Sequence, residues 1–363
     1  MSVWHWKPAP DYTELLKTLK REGKPNFAPP LELLVDQEVI DTLAEQIFFD
    51  FPQNGKTQTE KLLDRTMWVF YRLGYSALRV KPVLDLPMQR VNLNDTAVYS
   101  RGERGWVNEV SGVITSWADF ETFPWPSPQD ADYSPVEYMT RHLPEGMALI
   151  GKSYGPFELV NKLMGYQTFA ECLYDQPDLI KAVFEKLAEI YFPFDRTVAQ
   201  MDRVIGLWCA DDMGFRSGTL VAPKHLRQYV FPIHKQIAEA AHQNGKLFLM
   251  HSCGNLAKVM EDLIEDVGID CKHSFEDQIM PVEDFYAKYS GRISVIGGMD
   301  VDLLSRGSEQ QIRRRARQIL EACAPGGAYM LGSGNSIANY VPVEKYLIML
   351  DEGRRYQQEH GIG

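Results

Sequence analysis

A histidine and a cysteine close a short apolar run in the second half of the chain. Residues 247–250 read Leu-Phe-Leu-Met, a pattern typical of a buried strand, and His251, Ser252, Cys253 and Gly254 follow. Imidazole nitrogen and thiolate sulfur are both donors that zinc takes in proteins. Five Cys and eight His can produce such a pair by chance. Its meaning therefore depends on which side chains the neighbouring elements bring to the same place.

The elements that would position this pair alternate regularly between strand and helix. Because parallel strands of such a chain end on one face of a closed sheet, polar residues at their carboxyl ends share one pocket. The alternation predicts a single (β/α)8 TIM-type barrel that spans residues 1–363. The predicted strands cover residues 26–35, 75–80, 147–152, 203–209, 247–251, 269–276, 292–296 and 328–331.

Two features are added to the predicted barrel. Helical patterns precede the first strand and separate it from the second, at residues 8–22, 37–49 and 57–72. Between residues 91 and 126, short alternating segments at 96–99 and 106–110 flank a Gly-containing turn and predict a β-hairpin inserted after the second strand.

The inserted segment ends in a stretch rich in aromatics and proline, residues 117–126. It is either a rigid ordered loop or a wall of the substrate pocket, with Trp125 as the candidate contact.

Composition restricts the class of protein. The chain is 45% hydrophobic and carries a formal charge of −11, with a pI near 5.3, which argues against nucleic acid as the main partner. The first residues lack the order of a signal peptide, and no apolar stretch approaches the roughly 20 residues that span a bilayer. We therefore expect a cytoplasmic protein without a membrane partner. The five scattered cysteines fit free thiols or a metal site better than disulfides.

Further polar residues lie at the predicted strand ends. Asp211 and Asp212 follow the fourth strand, where paired carboxylates could position substrate or transfer protons, or where one of them could brace the loop. Glu276 ends the sixth strand and could meet His251 and Cys253 at one ion, since three protein ligands are common in catalytic zinc sites.

The remaining strand ends supply other candidates. Tyr154 follows the third strand, Asp300 the seventh and Asn335 the eighth. Arg79, on the second strand, could bind an anion or be paired structurally.

Several segments together resemble the uroporphyrinogen decarboxylase superfamily over nearly the whole chain. They are Cys-Ala-Asp-Asp-Met-Gly at 209–214, His-Ser-Cys-Gly-Asn at 251–255, Gly-Gly-Met-Asp at 297–300 and the loop 331–342. Within that superfamily, His-x-Cys-Gly is similar to the corrinoid-dependent methyltransferase branch. The resemblance implies that His251 and Cys253 are zinc ligands.

The third ligand is inferred from a more distant resemblance. Cobalamin-independent methionine synthase uses His-x-Cys, then a Glu, then a distant Cys, and Glu276 lies 23 residues after Cys253, as that arrangement implies. The chain departs from the branch in the eighth strand-end loop, where Ser333 to Ser336 replace a Cys. Water or substrate would then complete the zinc shell, or Cys271 would help.

The leading hypothesis is a zinc-dependent methyltransferase that moves a methyl group between a small methylated substrate or thiol and a corrinoid. The chain contains no cobalamin-binding module, so a partner protein would carry the corrinoid. Asp212, Asp300 and Tyr154 would orient substrate or the departing proton. Arg79, Asp211, Asn335 and Trp125 would bind substrate.

Two alternatives remain. A metal-independent decarboxylase is one, although residues 21–36 lack the arginine-rich signature with which the decarboxylase grips substrate carboxylates. A non-catalytic barrel that binds a tetrapyrrole or a partner is the other. The sequence leaves the oligomeric state open, and a homodimer is one arrangement that it allows.

Overall fold

The computed structural model describes residues 7–46, 54–107 and 112–362. The strands are β1 (Ala77–Val80), β2 (Arg90–Asn94), β3 (Glu103–Val107), β4 (Ala148–Tyr154), β5 (Val204–Ala210), β6 (Gly214–Phe215), β7 (Gly218–Thr219), β8 (Leu247–His251), β9 (Cys271–His273), β10 (Ser294–Ile296) and β11 (Tyr329–Met330).

Helices alternate with the strands of the main sheet and cover its outer side. They are α1 (Tyr12–Leu19), α2 (Gln37–Gln46), α3 (Gln58–Arg72), α4 (Trp117–Thr122), α5 (Ser134–His142), α6 (Pro156–Met164), α7 (Tyr166–Asp175), α8 (Pro177–Gln200), α9 (Pro223–His225), α10 (Phe231–Gln243), α11 (Val282–Tyr289), α12 (Val301–Arg306), α13 (Glu309–Cys323) and α14 (Val343–Glu359).

Seven strands form one curled parallel sheet in the order β1-β4-β5-β8-β9-β10-β11. With the helices around it, this sheet confirms the TIM-type α/β fold expected from the alternation of the sequence. All seven strands run in the same direction, so their carboxyl ends meet at one face.

The first predicted strand, residues 26–35, is not a regular strand. Its extended backbone pairs only at isolated points with the chain at and after β11, at Pro30 with Leu331 and at Val35 with Ile337. Pro29 and Pro30 lack the backbone N–H that a ladder needs, which explains the interruption. The segment nevertheless takes the eighth position beside β11, and the guanidinium of Arg79 on β1 donates to its Leu33 carbonyl oxygen at 2.7 Å.

The predicted hairpin insertion is present with shifted boundaries. β2 and β3 pair antiparallel, Val91 opposite Trp106, whereas residues 96–99, predicted as a strand, form the connecting loop. The Asp95 side chain accepts from the Ala97 amide at 3.0 Å and turns the chain there. The predicted second strand, 106–110, runs beyond residue 107 into positions outside the described residues. The aromatic segment after it contains the short helix α4.

Alternate strand residues face the two sides of the sheet. One set, which includes Ala77, Ile150, Trp208, Leu249 and Cys271, packs together inside the barrel. The residues between them pack against the helices in a second, larger core. Residues 79 on β1, 152 on β4, 251 on β8 and 273 on β9 continue the inward-facing set toward the carboxyl ends. Among the described helices, none combines the length and apolarity that crossing a membrane requires.

Candidate metal centre

The loops after β5 and β8 are held against each other. The backbone N–H of Cys253 donates to Asp212 Oδ1 at 2.8 Å. Gly254 has a φ of +82°, and a Cβ there would lie 2.2 Å from the carbonyl carbon of Gly214, so the approach of the two loops requires glycine. This contact fixes Asp212 beside the His-x-Cys pair before any ligand binds.

Asp212, His251 and Cys253 form a compact group of three different donors. One ligand atom of each lies within 4.8 Å of the other two. His251 Nε2 is 3.3 Å from Asp212 Oδ1 and 3.5 Å from Cys253 Sγ. The His251 side chain is 4% exposed and that of Asp212 is 38% exposed, so the group lies at the edge of the barrel interior and opens toward solvent.

Two of the three separations between these atoms fit a tetrahedral zinc ion. Zinc bonds of about 2.0 to 2.1 Å to nitrogen and oxygen and about 2.3 Å to sulfur place the ligand atoms about 3.3 Å apart for a nitrogen and oxygen pair and about 3.6 Å apart for a nitrogen and sulfur pair. The two observed distances are close to these values. Three protein ligands would leave the fourth position for water or substrate, as in catalytic zinc sites.

A second histidine orients His251. His251 Nδ1 is 2.7 Å from His273 Nδ1, and His273 Nε2 is 3.1 Å from the Ser333 carbonyl oxygen. A carbonyl only accepts, so His273 Nε2 carries a proton. Burial, with the nearby His251, lowers the pKa of His273 well below its usual range, so its ring is neutral and its Nδ1 accepts. His251 therefore donates through Nδ1, and in its neutral form Nε2 presents a lone pair to Asp212 and Cys253.

The chain of hydrogen bonds continues behind His273 to a buried carboxyl group. Ser333 donates from its backbone N–H to Glu32 Oε1 at 2.8 Å and from its hydroxyl to Glu32 Oε2 at 2.6 Å. Burial raises the pKa of Glu32 to about 8, and the two bonds from Ser333 oppose that shift. This network fixes the position of the Ser333 carbonyl that His273 binds.

The Cys253 sulfur receives two side-chain hydrogen bonds. Ser274 Oγ donates to it at 3.4 Å and Asn335 Nδ2 at 3.2 Å. Burial and the negative charge of Asp212 nevertheless raise the pKa of the Cys253 thiol to about 12. Burial also acts to raise the pKa of Asp212, but hydrogen bonds from His251 and Cys253, and the positive charge of His251 when its ring is protonated, outweigh it and hold that pKa far below its usual range. A bound divalent cation would favour the thiolate.

The structure places Glu276 outside this group, contrary to its predicted role as third ligand. β9 ends at His273, and Ser274 has a φ of +99°, in the left-handed region that non-glycine residues rarely adopt. The chain turns there, so the alternation that would have directed residue 276 inward no longer applies. Glu276 is exposed and lines a surface pocket together with Met280. Asp212, predicted to be catalytic, instead lies beside His251 and Cys253, where Glu276 was expected.

Two predicted carboxylates have structural partners. Asp211, predicted to bind substrate, is fully buried and accepts from the backbone N–H groups of Phe157 and Glu158 at the start of α6 and from His234 Nε2 at 2.8 Å. Asp300, predicted to be catalytic, is the N-cap of α12 and accepts from the Asp302 amide at 2.8 Å. Neither placement supports the role predicted for the residue.

Three other predicted side chains, those of Tyr154, Trp125 and Arg79, have partners outside the group of three donors. The ring of Tyr154, at the end of β4, packs on Tyr191 of α8 with centroids 4.2 Å apart. Trp125 packs on Phe120 and Phe123 and donates its indole N–H to the Phe120 carbonyl at 3.1 Å. Arg79 faces the barrel interior over Trp208. Of the predicted substrate-binding residues, Asn335 alone contacts one of the three donors in the described structure.

Sequence reasoning missed His273 and Lys272. β8 and β9 pair with His251 opposite His273, a register in which both histidines face inward. The signal in the sequence was that each histidine lies near the end of a predicted strand. Lys272 is buried and donates to the carbonyl oxygens of Ser252, His273 and Ser274 at 2.7 to 3.2 Å. It therefore holds the two strand ends that carry the site.

Comparison with known proteins agrees with this fold. The family model for uroporphyrinogen decarboxylase (URO-D) matches residues 107–356. A uroporphyrinogen decarboxylase from Anaeromyxobacter dehalogenans (strain 2CP-C) is 25% identical over 266 residues, which cover 70% of this chain and 73% of that protein. The structure of a methyltransferase from Methanosarcina mazei is similar with a TM-score of 0.70 and 16% identity, over 95% of this chain and 98% of that one. The resemblance seen in the strand-end segments is thereby confirmed, and the chain belongs to the uroporphyrinogen decarboxylase family.

Proposed function

We propose that the protein is a zinc-dependent methyltransferase that moves a methyl group between a corrinoid on a partner protein and a small thiol or methylated substrate. The observation that carries the proposal is the group of nitrogen, sulfur and oxygen donors of His251, Cys253 and Asp212, in which His251 Nε2 lies at zinc-compatible distances from the other two. The structural likeness to a methyltransferase is consistent with it through the fold alone.

Each residue of the site has a defined task in this reaction. His251, Cys253 and Asp212 would hold the ion, which lowers the pKa of a bound thiol or polarises a methylated heteroatom. Asn335 and Ser274 stabilise the Cys253 thiolate through hydrogen bonds. His273 keeps the His251 lone pair directed at the site. The predicted participation of Tyr154 in orienting substrate remains part of the proposal, because it ends a strand at the same face.

The transfer is balanced without a further reactant. In the direction of thiol methylation, the substrate sulfur would form a bond to the methyl carbon as that carbon's bond to the partner's corrinoid breaks. The corrinoid would keep the electron pair of the broken bond, and the thiol proton would leave to solvent. The reverse direction demethylates the small substrate.

Metal content tests the first part of the proposal. Protein purified without added zinc should contain about one equivalent, as expected for a single three-ligand site. Cys253→Ala should lose it. Cys172→Ala is the matched control, because Cys172 is a buried thiol on α7 away from the barrel interior. Absence of zinc from the wild-type protein, or its retention by Cys253→Ala, would contradict the proposal.

Methyl transfer is tested with free methylcobalamin and 3-mercaptopropionate as surrogates. The zinc protein should accelerate loss of the methylcobalamin absorbance and formation of the thioether, and Cys253→Ala should not. A preparation that binds zinc but leaves methylcobalamin unchanged with this thiol and with methylated thioethers would count against methyl transfer.

Decarboxylation is a second candidate function, favoured by the family model and by the curated relative. It predicts metal-independent release of CO₂ from a porphyrinogen carboxylate. Release of CO₂ that persists in Cys253→Ala would favour this alternative over methyl transfer.

A further inference from the structure

Two hydrogen-bond donors from different loops meet at the sulfur of Cys253. The hydroxyl of Ser274, directly after β9, lies 3.4 Å from the sulfur, and the side-chain amide nitrogen of Asn335, in the loop after β11, lies 3.2 Å from it. The sulfur also lies 3.5 Å from His251 Nε2. Polar groups therefore reach this sulfur from the ends of β8, β9 and β11.

The position of the Ser274 hydroxyl is fixed by the backbone around it. Ser274 has a φ of +99°, so the chain turns at the residue whose hydroxyl meets the sulfur. The ammonium group of Lys272 donates to the Ser252 carbonyl oxygen at 3.2 Å and to the Ser274 carbonyl oxygen at 2.9 Å. One buried cation thus ties the residue before Cys253 to the residue that donates to its sulfur.

The loop that carries Asn335 is fixed by backbone contacts of its own. The N–H of Phe275 donates to the Gly334 carbonyl oxygen at 2.9 Å, and the N–H of Gly334 donates to the Met299 carbonyl oxygen at 2.6 Å. A Cβ on Gly334 would lie 2.2 Å from the Phe275 carbonyl oxygen, so this approach requires glycine. The hydroxyl of Ser336 donates to Asn335 Oδ1 at 3.3 Å, which leaves the amide N–H groups for the sulfur. Both donors are therefore in place before an ion binds.

These two hydrogen bonds bear on the choice of methyl acceptor in the proposed reaction. The zinc-bound site would contain the Cys253 thiolate as a ligand and the sulfur of the substrate, and a methyl donor could react with either. Coordination would use one lone pair of the Cys253 sulfur, and the two hydrogen bonds occupy the others. A new bond to carbon would have to displace one of them. Hydrogen bonds to an ionised group are stronger than those between neutral groups, and methylation would remove the negative charge that strengthens them.

We propose that Ser274 and Asn335 protect Cys253 from methylation, so that the methyl group passes to the substrate sulfur and not to the protein. The inference rests on the proposed function and makes these two residues determinants of the acceptor. Methylation of Cys253 would form a sulfur–carbon bond from a sulfur lone pair, and the leaving group would keep the electron pair of its broken bond to carbon. The product would be an uncharged thioether, so the protein would lose its thiolate ligand after a single event.

Alkylation of the zinc-loaded protein by methyl iodide tests this protection. Ser274→Gly removes the hydroxyl, and glycine adopts a φ of +99° without strain. Asn335→Leu removes the amide and keeps the size of the side chain. Each substitution should raise the rate of Cys253 S-methylation, followed by peptide mass spectrometry, by about 10-fold, as expected for one lost hydrogen bond to a charged group. The control Ser305→Ala removes a hydroxyl that donates to the Asp302 carbonyl oxygen on α12, and it should react like the wild type.

Zinc content is measured on the same samples, so that methylation is compared at equal metal occupancy. The other four cysteines are buried, and their methylation would report unfolding of a variant. Since the two variants remove different donors, either one that folds and retains zinc is sufficient. Methylation of Cys253 at the wild-type rate in such a variant would overturn the inference. Loss of zinc from both variants would overturn it as well, because the two donors would then hold the ion in place and not protect its ligand.

Methylcobalamin with 3-mercaptopropionate separates this inference from the proposed function. If the variants are methylated faster at Cys253 but the wild-type zinc protein transfers no methyl group to the thiol, the protection stands and the proposed function fails. If the wild-type protein methylates the thiol and both variants react with methyl iodide at the wild-type rate, the proposed function stands and the protection is wrong.

Discussion

The Nδ1 atoms of His251 and His273 lie 2.7 Å apart inside the barrel, with one proton between them. His273 donates its Nε2 proton to the Ser333 carbonyl, and its Nδ1 carries none. The proton between the two Nδ1 atoms is therefore bonded to His251. The tautomer of the candidate ligand is therefore set by a residue that does not itself face the metal position. Such outer hydrogen bonds raise ligand basicity and fix ring orientation in metal sites.

Replacing His273 should weaken zinc binding without removing a ligand. His273→Phe leaves the Nδ1 proton of His251 without an acceptor and should raise the zinc dissociation constant by about 10- to 100-fold. His273→Gln offers a carbonyl oxygen in that position and should restore part of the affinity. Competition with a chromophoric chelator measures both. Unchanged affinity in His273→Phe would show that the histidine pair does not support the ligand.

Substitutions of Asp212 and of Glu276 should affect the zinc content of the protein differently. Asp212→Ala removes an oxygen donor of the three-residue group and should reduce zinc content well below one equivalent. Glu276→Gln should retain zinc at the wild-type level, because that side chain is exposed beyond the turn at Ser274. Metal analysis of the two purified variants decides between them. The reverse result would restore Glu276 as the third ligand.

This contrast shows which parts of the site were accessible from sequence. His251, Cys253 and Asp212 follow apolar runs whose ends are easy to locate, so their common face could be predicted. The strand predicted over 269–276 ends at His273 instead, and the positive φ of Ser274 could not be anticipated from a serine. The face of the sheet to which a residue points follows from alternation only as far as the strand continues.

The strands of the barrel could be predicted because they too are apolar runs with clear ends. That prediction was wrong for one segment, residues 26–35. Seven strands of the barrel are apolar runs between helical patterns, and all are present. The segment 26–35 has the same hydrophobicity, but its two prolines reduce the pairing to isolated bridges. Arg79 lies over the ring of Trp208 only because β1 and β5 both flank β4 in the sheet, a relation that spacing along the chain does not reveal.

The buried carboxyl of Glu32 should make stability depend on pH. Its pKa is raised from 4.5 to about 8 by burial, so the folded state retains a proton that the unfolded state loses. The free energy of unfolding should therefore fall as pH rises between those values. Glu32→Gln keeps an uncharged group of the same shape and should be more stable than the wild type at pH 8 by about 4 kcal/mol. Urea denaturation from pH 5 to 9 measures the difference, and parallel curves for the two proteins would contradict it.

Asp211 should matter for stability rather than for metal binding. Its buried carboxylate accepts from two backbone N–H groups at the start of α6 and from His234, so Asp211→Ala leaves three buried donors without an acceptor. The free energy of unfolding should fall by about 3 kcal/mol. Asp212→Ala, one residue further along at a partly exposed position, should cost at most about 1 kcal/mol. Urea denaturation of the zinc-free proteins compares the two. Equal losses in the free energy of unfolding would mean that Asp211 and Asp212 share one structural role. The difference between a structural Asp211 and a metal-binding Asp212 would then be wrong.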